Sequence, residues 1–556
     1  MKRTQDHHRR HGITRRSFFS GAGALGAAAA LTNGTALSAL LPTPARAAEA
    51  APMPGGTMHL AAPYGSALKS LDPHATWRSQ DMVVSKAFHR SLYSWDTSKN
   101  APAPDLAASV TAEADGMTHT YKLHDNAYFH NGRQVVADDV IWSFTRVMDP
   151  DKGFPGAALV ANIEGADDYA KGKAKTISGL KKIDDLSFQI KMKNYTDPGL
   201  LFFDGVTSIL PKEEVAKPDF LTHPVGCGPF SFSQHVAGSS ISGKKFDKYY
   251  KPGKPYADGV HFVITGDYSA LDMAFRSGEL DATVLSASAY ALYKNDAKLS
   301  KGLVEVHELF TRHMGMNLKM KPFDDEKVRQ AINYAIDRDL IIDKLIKGKA
   351  FKAVSWLPSS SIAFDETRKP YPFDVDKAKE LMKASAYPDG AEVTIWATNG
   401  TNGTGVAQAI TPYLAAIGLK VTLKVVESSV LSDALHSGTA QAWLYSSGTG
   451  PDPIAALRDF DSRVTRAGGN TTGFSDPAYD KMLDDAAGEV DPDKRRKLTM
   501  QADGYIFDKA PVWFFNTNKA VVATQPWIHN VGGNVTEAAI LEVDDMWLGK
   551  DAPGRS

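Results

Sequence analysis

The sequence predicts an α/β protein with more than one core. Three observations carry that reading: short strands with strict alternation, helices with apolar positions at helical spacing, and a length of 556 residues. That length exceeds the roughly 250–300 residues at which single cores stop growing. In "SFQIKMK", Phe188, Ile190 and Met192 fall on one face, and Gln189, Lys191 and Lys193 on the other. "VTLKVVE", from Val421, repeats the pattern. "ADDVIWSFTRVMDP" places Asp138 and Asp139 in a first helical turn, where the helix dipole favours carboxylates, and stops at Asp149-Pro150. "DDEKVRQAINYAIDRDLIIDKLIKG" predicts one helix with Val328, Ala331, Ile332, Ala335, Ile336 and Leu340 on its apolar face and Gly348 as its stop. No repeat period and no low-complexity linker interrupts these elements, so the domains are expected to share long surfaces.

The first 47 residues stand apart. A basic start gives way at Gly21 to a weakly hydrophobic Ala/Gly/Leu run, followed by Pro42, Pro44 and the small-x-small triplet Ala45-Arg46-Ala47. This is the pattern of an export signal cleaved after Ala47. Within it, "TRRSFF" resembles the twin-arginine motif, which directs folded proteins out of the cytoplasm. The leader carries a net charge of +6, which leaves −7 on the remainder against −1 for the whole chain. A mildly acidic mature chain without a basic stripe excludes general affinity for nucleic acid. Cys227 is the only cysteine, which excludes an intramolecular disulfide, cysteine-ligated iron–sulfur clusters and Cys-based structural zinc. It also leaves no cysteine at the cleavage point for a lipid anchor, so a soluble periplasmic product without metal or cofactor is expected.

Several segments then arrive in a familiar order. They are "GGTMHLAAPYGSALKSLDPHAT", "PAPDLAASVTAEADGMTHTYKLHDNAYFHNGRQVVADDVIWSFTRVMDP", "PVGCGPF", "ALDMAFRSGELDA", "FDDEKVRQAINYAIDRDLII", "DVDKAKELMKASAYPDG" and "DKAPVWFF". From Gly55 to about Trp547 the chain resembles the peptide/nickel type (family 5) of extracellular solute-binding proteins. The resemblance implies a bilobed periplasmic-binding-protein fold with an extra inserted domain and a cleft between two lobes joined by a hinge. The expected division is a signal peptide over 1–47, lobe I over 48–91, 223–311 and 516–556, an inserted domain over 92–222, and lobe III over 312–515. Chain crossings are expected near Phe310–Met314 and Phe514–Asn516. The resemblance further implies a monomer that closes over a small solute and hands it to an ABC permease in the inner membrane with its ATPase.

The stretch "WLYSSGTGPDPIAAL" falls where the family lines its cleft. Tyr445, Ser446, Ser447 and Thr449 become wall residues, with Asp452-Pro453 closing the turn; Tyr, Ser and Thr offer donors and acceptors beside an apolar face. From the residues alone, a plain strand–turn–helix connection with Gly448 and Gly450 fits as well. Trp396 is placed to stack on a ligand or to fill a core, and Asn399 stands in the Gly/Asn/Thr-rich turn after it. Arg312 and His313 beside the hinge suit an acidic ligand group or a surface ion pair. Cys227 sits near the cleft as a small apolar filler. In peptide-binding members of the family, an acid three positions before the Asp of Asp-Pro holds the peptide's ammonium group; this chain has Thr449 there. Thr398 to Gly405 also lacks the Arg that holds a dipeptide's carboxylate. A buried zwitterion without both counter-charges costs several kcal/mol by order of magnitude, so weak binding of simple dipeptides is expected. A peptide-like solute leads, with a nickel complex, opine or saccharide conjugate as alternatives.

Enzyme readings are poorer. The sequence has no phosphate-binding loop, no G-x-S-x-G elbow and no H-E-x-x-H zinc helix. A periplasmic hydrolase is the alternative from another class.

Overall fold

The computed structural model describes residues 51–553 apart from Tyr64, Ser66 and Asp204. The expected export signal lies outside the described residues.

Alternation builds the sheets. In the strand Ser187–Lys191, Phe188 and Ile190 are fully buried while their neighbours are half-exposed. This strand pairs antiparallel with Thr118–Leu123, inside a four-stranded sheet completed by Ala107–Ala112 and Leu180–Lys182. The helix Ala137–Val147 lays Val140, Phe144 and Val147 onto the same core as Tyr121 and Phe188. Asp139 accepts the Val136 amide at 2.9 Å and so closes the helix start.

A second sheet of 11 strands runs through the rest of the chain. One end holds Leu419–Val425, Ala391–Ala397 and Ala442–Gly448; the other holds Ala282–Val284, Thr57–Ala62, Gly259–Ile264, Ser240–Lys245 and Phe230–Val236. Between them lie the two longest strands, Leu303–Met316 and Val512–Thr524. Separate apolar cores cover the two ends: one gathers Leu60, Phe88, Phe262 and Met546, the other Met316, Ile332, Ile395 and Trp513. The long strands pass from one core to the other.

Their pairing breaks at the passage. The antiparallel ladder runs from Leu303↔Ala523 to His307↔Lys519, resumes at Thr311↔Thr517 and Arg312↔Asn516, and shifts again past Phe515 before running from His313↔Phe514 to Gly315↔Val512. Glu308, Leu309 and Phe310 bulge opposite Asn518, and the second shift, at Arg312/His313, falls within the segments Phe310–Met314 and Phe514–Asn516. The freed backbone groups find other partners, as buried ones must. The Leu309 amide donates to the Val535 carbonyl at 2.7 Å, and its carbonyl accepts the Thr449 amide at 2.8 Å.

The single helix expected over "DDEKVRQAINYAIDRDLIIDKLIKG" is two, Glu326–Ala335 and Arg338–Lys344. Ile336 is extended, and Asp337 caps the second helix by accepting the Leu340 amide at 2.9 Å. The break turns Leu340 to solvent, 46 % exposed, where a continuous helix would have buried it. Local capping by Asp337 outweighs the period of the apolar residues.

One buried charge network ties distant segments. Arg90, inaccessible to solvent, meets Glu542 at 2.9 Å, Asp544 at 2.7 Å and Asp105 at 3.5 Å. Lys251 reaches Asp105 at 2.7 Å and Asp544 at 3.0 Å. Burial alone would push both aspartates up, but Arg90 and Lys251 hold them below the usual carboxylate range. Depressed acids stabilise the fold above their unfolded pKa, so this contribution fades as pH falls below about 4. Arg90→Ala leaves buried carboxylates uncompensated and should lower unfolding free energy by about 3–5 kcal/mol in a urea melt; a loss below 1 kcal/mol would show that the network carries little.

Candidate functional site

The strand Ala442–Gly448 lies between Ala391–Ala397, which it meets in parallel, and the crossing strand Leu303–Met316, which it meets antiparallel. Register places Tyr445 opposite His313, Ser446 opposite Arg312 and Ser447 opposite Thr311. Its first half is core: Ala442, Trp443 and Leu444 are buried. Its second half opens, with Tyr445 45 % exposed. Gly448 ends the strand against Phe310, Gly450 takes φ +62° in the turn, and Asp452 caps the helix Pro453–Leu457 by accepting the Ile454 amide at 3.0 Å.

The open half walls a cavity of about 340 Å³. Its aromatic lining is continuous. The His313 ring centre is 6.4 Å from Tyr445 and 5.0 Å from Trp356, and Trp356 is 4.9 Å from Phe460, all edge-on. Such contacts fix ring positions and leave an apolar floor. Trp356 is pinned because its indole N–H donates to the Ala456 carbonyl at 3.0 Å, and Thr311 donates its hydroxyl to the Trp356 carbonyl at 2.9 Å. The polar wall comes from Ser446 and Ser447, from Ser432 and His436 on the helix Ser428–Ser437, and from the segment containing Asp459, Arg466, Thr471 and Thr472. Burial pushes His313 down to about 4, so its ring is neutral at ordinary pH. Burial pushes Asp459 up to about 7. Arg466 is lowered by burial, and its guanidinium donates to Asn317 Oδ1 at 2.8 Å and to the Thr471 carbonyl.

The structure therefore brings together Tyr445, Ser446, Ser447 and His313. Asp452 lines a second cavity of about 690 Å³, whose other walls include Tyr93, His119 and Asp197 on one side and Ile362 and Arg495 on the other. Thr449 is buried, and both its amide and its hydroxyl donate to the Leu309 carbonyl, at 2.8 and 3.0 Å. That hydroxyl is committed to the crossing strand. Arg312 donates to Asn518 Oδ1 at 2.7 Å and is not part of either cavity's lining. Trp396 carries Lys424 Nζ 3.5 Å over its ring, packs on the core around Trp443 and lines neither cavity. Asn399 is exposed in its turn. Cys227 is buried in the core of the four-stranded sheet, its thiol pushed up to about 12 by burial, and is a filler there instead of a wall of either cavity.

Sequence reasoning missed Trp356, Asp459, Phe460 and Arg466. The last three stand in "RDFDSRVTRAGG", which has no strand or helix period; the one usable signal was the Gly468-Gly469 pair closing that loop.

The cavity strand adjoins Leu303–Met316, one of the two long strands that pass between the cores. The chain belongs to the bacterial extracellular solute-binding proteins, family 5: the model of that family's middle region matches residues 101–467. Among its relatives is the glutathione-binding protein GsiB of Pectobacterium atrosepticum, 29% identical over 83% of this chain and 88% of that one. The di/tripeptide-binding protein 1 of Pseudomonas aeruginosa is 28% identical over 79% of this chain and 84% of its own length. In structure, the periplasmic binding protein DppA of Helicobacter pylori, in complex with the peptide STSA, aligns with a TM-score of 0.70 at 24% identity, over 90% of this chain and 99% of that one. The fold is that of the bilobed periplasmic binding proteins, and membership places the chain as the solute-binding component of an ABC importer. No helix among the described residues is long and apolar enough to cross a membrane.

An acid held near 7 by burial binds its proton more tightly folded than unfolded, so its ionisation costs stability as pH rises from about 4 through 7. Without ligand, Asp459→Asn should therefore melt above the wild type at pH 8, with the gap closing toward pH 5. An Asn variant less stable at pH 8 would contradict the unpaired state of this carboxyl.

Proposed function

We propose that the protein captures a peptide-like solute in the cavity against Tyr445, Ser446 and Ser447, closes over it, and delivers it to an inner-membrane permease. One observation carries this reading: the cavity wall is the antiparallel neighbour of the strand whose ladder breaks at Glu308–Phe310. Contact with the solute at Tyr445–Ser447 is passed through register partners Thr311–His313 to the point where the chain crosses between cores. Hinges are a few residues that absorb backbone rotation, and the irregular pairing between His307 and His313 meets that need.

The lobes are taken as 48–91, 223–311 and 516–556 for the first and 312–515 for the second, with 92–222 inserted. The relatives named for glutathione and for di- and tripeptides support a small peptide-like solute. Tyr and Ser side chains beside a strand end suit amide groups, which need donors and acceptors together. Export by the twin-arginine route, a leader ending at Ala47, a periplasmic location, a monomeric state and the absence of catalysis complete the proposal.

Mass spectrometry of protein purified without denaturation should find a small solute released unchanged on unfolding, near one per chain. Conversion of that solute on incubation would instead support a hydrolase. Small-angle scattering should show compaction when the same solute is returned to emptied protein; tight binding without compaction would count against the hinge.

A further inference from the structure

The inserted segment 92–222, built around the four-stranded sheet, joins its two neighbours in unlike ways. Toward 223–311 it shares one apolar core, in which Cys227, Tyr249 and Tyr250 pack with Tyr121, Phe129 and Phe188. Asp105 adds charge to that joint through Arg90 and Lys251, and Asn126 donates its side-chain amide to the Tyr250 carbonyl at 3.0 Å. Toward 312–515 no buried apolar cluster is shared among the described residues. Two cavities of about 690 and 700 Å³ lie there instead, and Tyr195, Asp452 and Arg495 wall both. A continuous core moves as one body, whereas a joint with little apolar burial opens at small cost. Rotation at the ladder break therefore carries the inserted segment with the first lobe and parts it from the second.

Few contacts cross this gap. Asn100 donates its side-chain amide to the Ser360 carbonyl at 2.9 Å, and the Arg495 guanidinium carbon lies 5.0 Å from the centre of the Tyr195 ring. Each partner is set from its own side. Arg495 donates to the Ala487 carbonyl at 2.9 Å. Tyr195 lies against Gly116, which has φ +65° and where a Cβ would stand 2.7 Å from the ring. Burial lowers Arg495, and Asp452 on its own side and Asp197 across the gap offset that. Desolvation raises the Asp197 carboxyl, Asp452 raises it further, and Arg495 pulls it down. Without the guanidinium, two acids face each other across the gap.

We propose that Arg495 is a positioning residue for closure: stacked on Tyr195 between Asp197 and Asp452, it latches the second lobe onto the inserted segment and slows release of a solute held against Tyr445. The latch rests on the hinge closure proposed above and not on the identity of the solute.

Electron–electron distance measurement tests it, with spin labels on Lys181→Cys and Lys379→Cys, exposed on the two sides of the gap. A second pair, Lys181→Cys with Lys244→Cys, reports the inserted segment against the first lobe. Cys227 stays unlabelled because it is buried and its thiol is pushed up to about 12. Protein is measured as purified, and again after its co-purified solute is removed by unfolding and refolding, with thermal melts verifying that each variant folds. The ratio of short to long gap distances should fall about threefold in Arg495→Ala and in Tyr195→Ala, and release of the co-purified solute should quicken by a similar factor. Arg495→Lys, which keeps the cation, should hold the wild-type ratio, and Asp197→Asn should restore most of what Arg495→Ala loses. The Lys181–Lys244 distance should stay fixed throughout. An unchanged ratio in either alanine variant, an equal fall in Arg495→Lys, a fall that Asp197→Asn does not reverse, or a Lys181–Lys244 distance that moves with the gap overturns the latch. The hinge reading survives any of these if removing the solute still shifts the ratio. One fixed gap distance in every variant, with and without solute, overturns both.

Discussion

Everything that makes this molecule a binding protein depends on two antiparallel strands, Leu303–Met316 and Val512–Thr524, which belong to both cores at once. A continuous ladder between them would make one stiff sheet. The pairing instead fails at Glu308–Phe310, and the backbone groups released there are taken up from outside the pair, by Val535 in the C-terminal segment and by Thr449 in the turn beyond the cavity strand. Glu308 adds a side-chain tie, accepting the Ala538 amide at 2.7 Å and the Asn518 side-chain amide. Burial and the nearby Glu537 raise this carboxyl to about 7. The passage between cores is thus held by hydrogen bonds from segments on both sides of it, which leaves it ordered without being a regular ladder.

The cavity is built onto that passage. Its strand changes character halfway, from the buried Ala442–Leu444 to the open Tyr445–Gly448, opposite Met314 and His313. Thr449 then returns to the Leu309 carbonyl with both of its donors. A residue that the family resemblance marked as the place for a ligand-binding acid is here a fastener between the cavity turn and the crossing strand.

The fold was largely legible from sequence because its evidence is periodic. Phe188 and Ile190 alternate as expected and are buried as expected. Where legibility failed, a local interaction outweighed the period: Asp337 caps a new helix and expels Leu340 to solvent. The site was half legible. Tyr445, Ser446, Ser447 and His313 lie on adjacent strands, so position along the chain implies position in space. Asp459 and Arg466 sit in irregular turns, and only the fold brings them to that wall. Trp396 was legible only as two alternatives, ligand stacking or core filling, and its ring packs on the core around Trp443 with Lys424 from the neighbouring strand over it.

The central claim is that solute is held against the open half of the strand Ala442–Gly448. A crystal structure of the protein with its native solute retained tests it most directly. Solute should lie in contact with Tyr445, Ser446 or Ser447. Solute confined to the cavity between Tyr93 and Arg495, with the Tyr445 cavity holding only water, would contradict it.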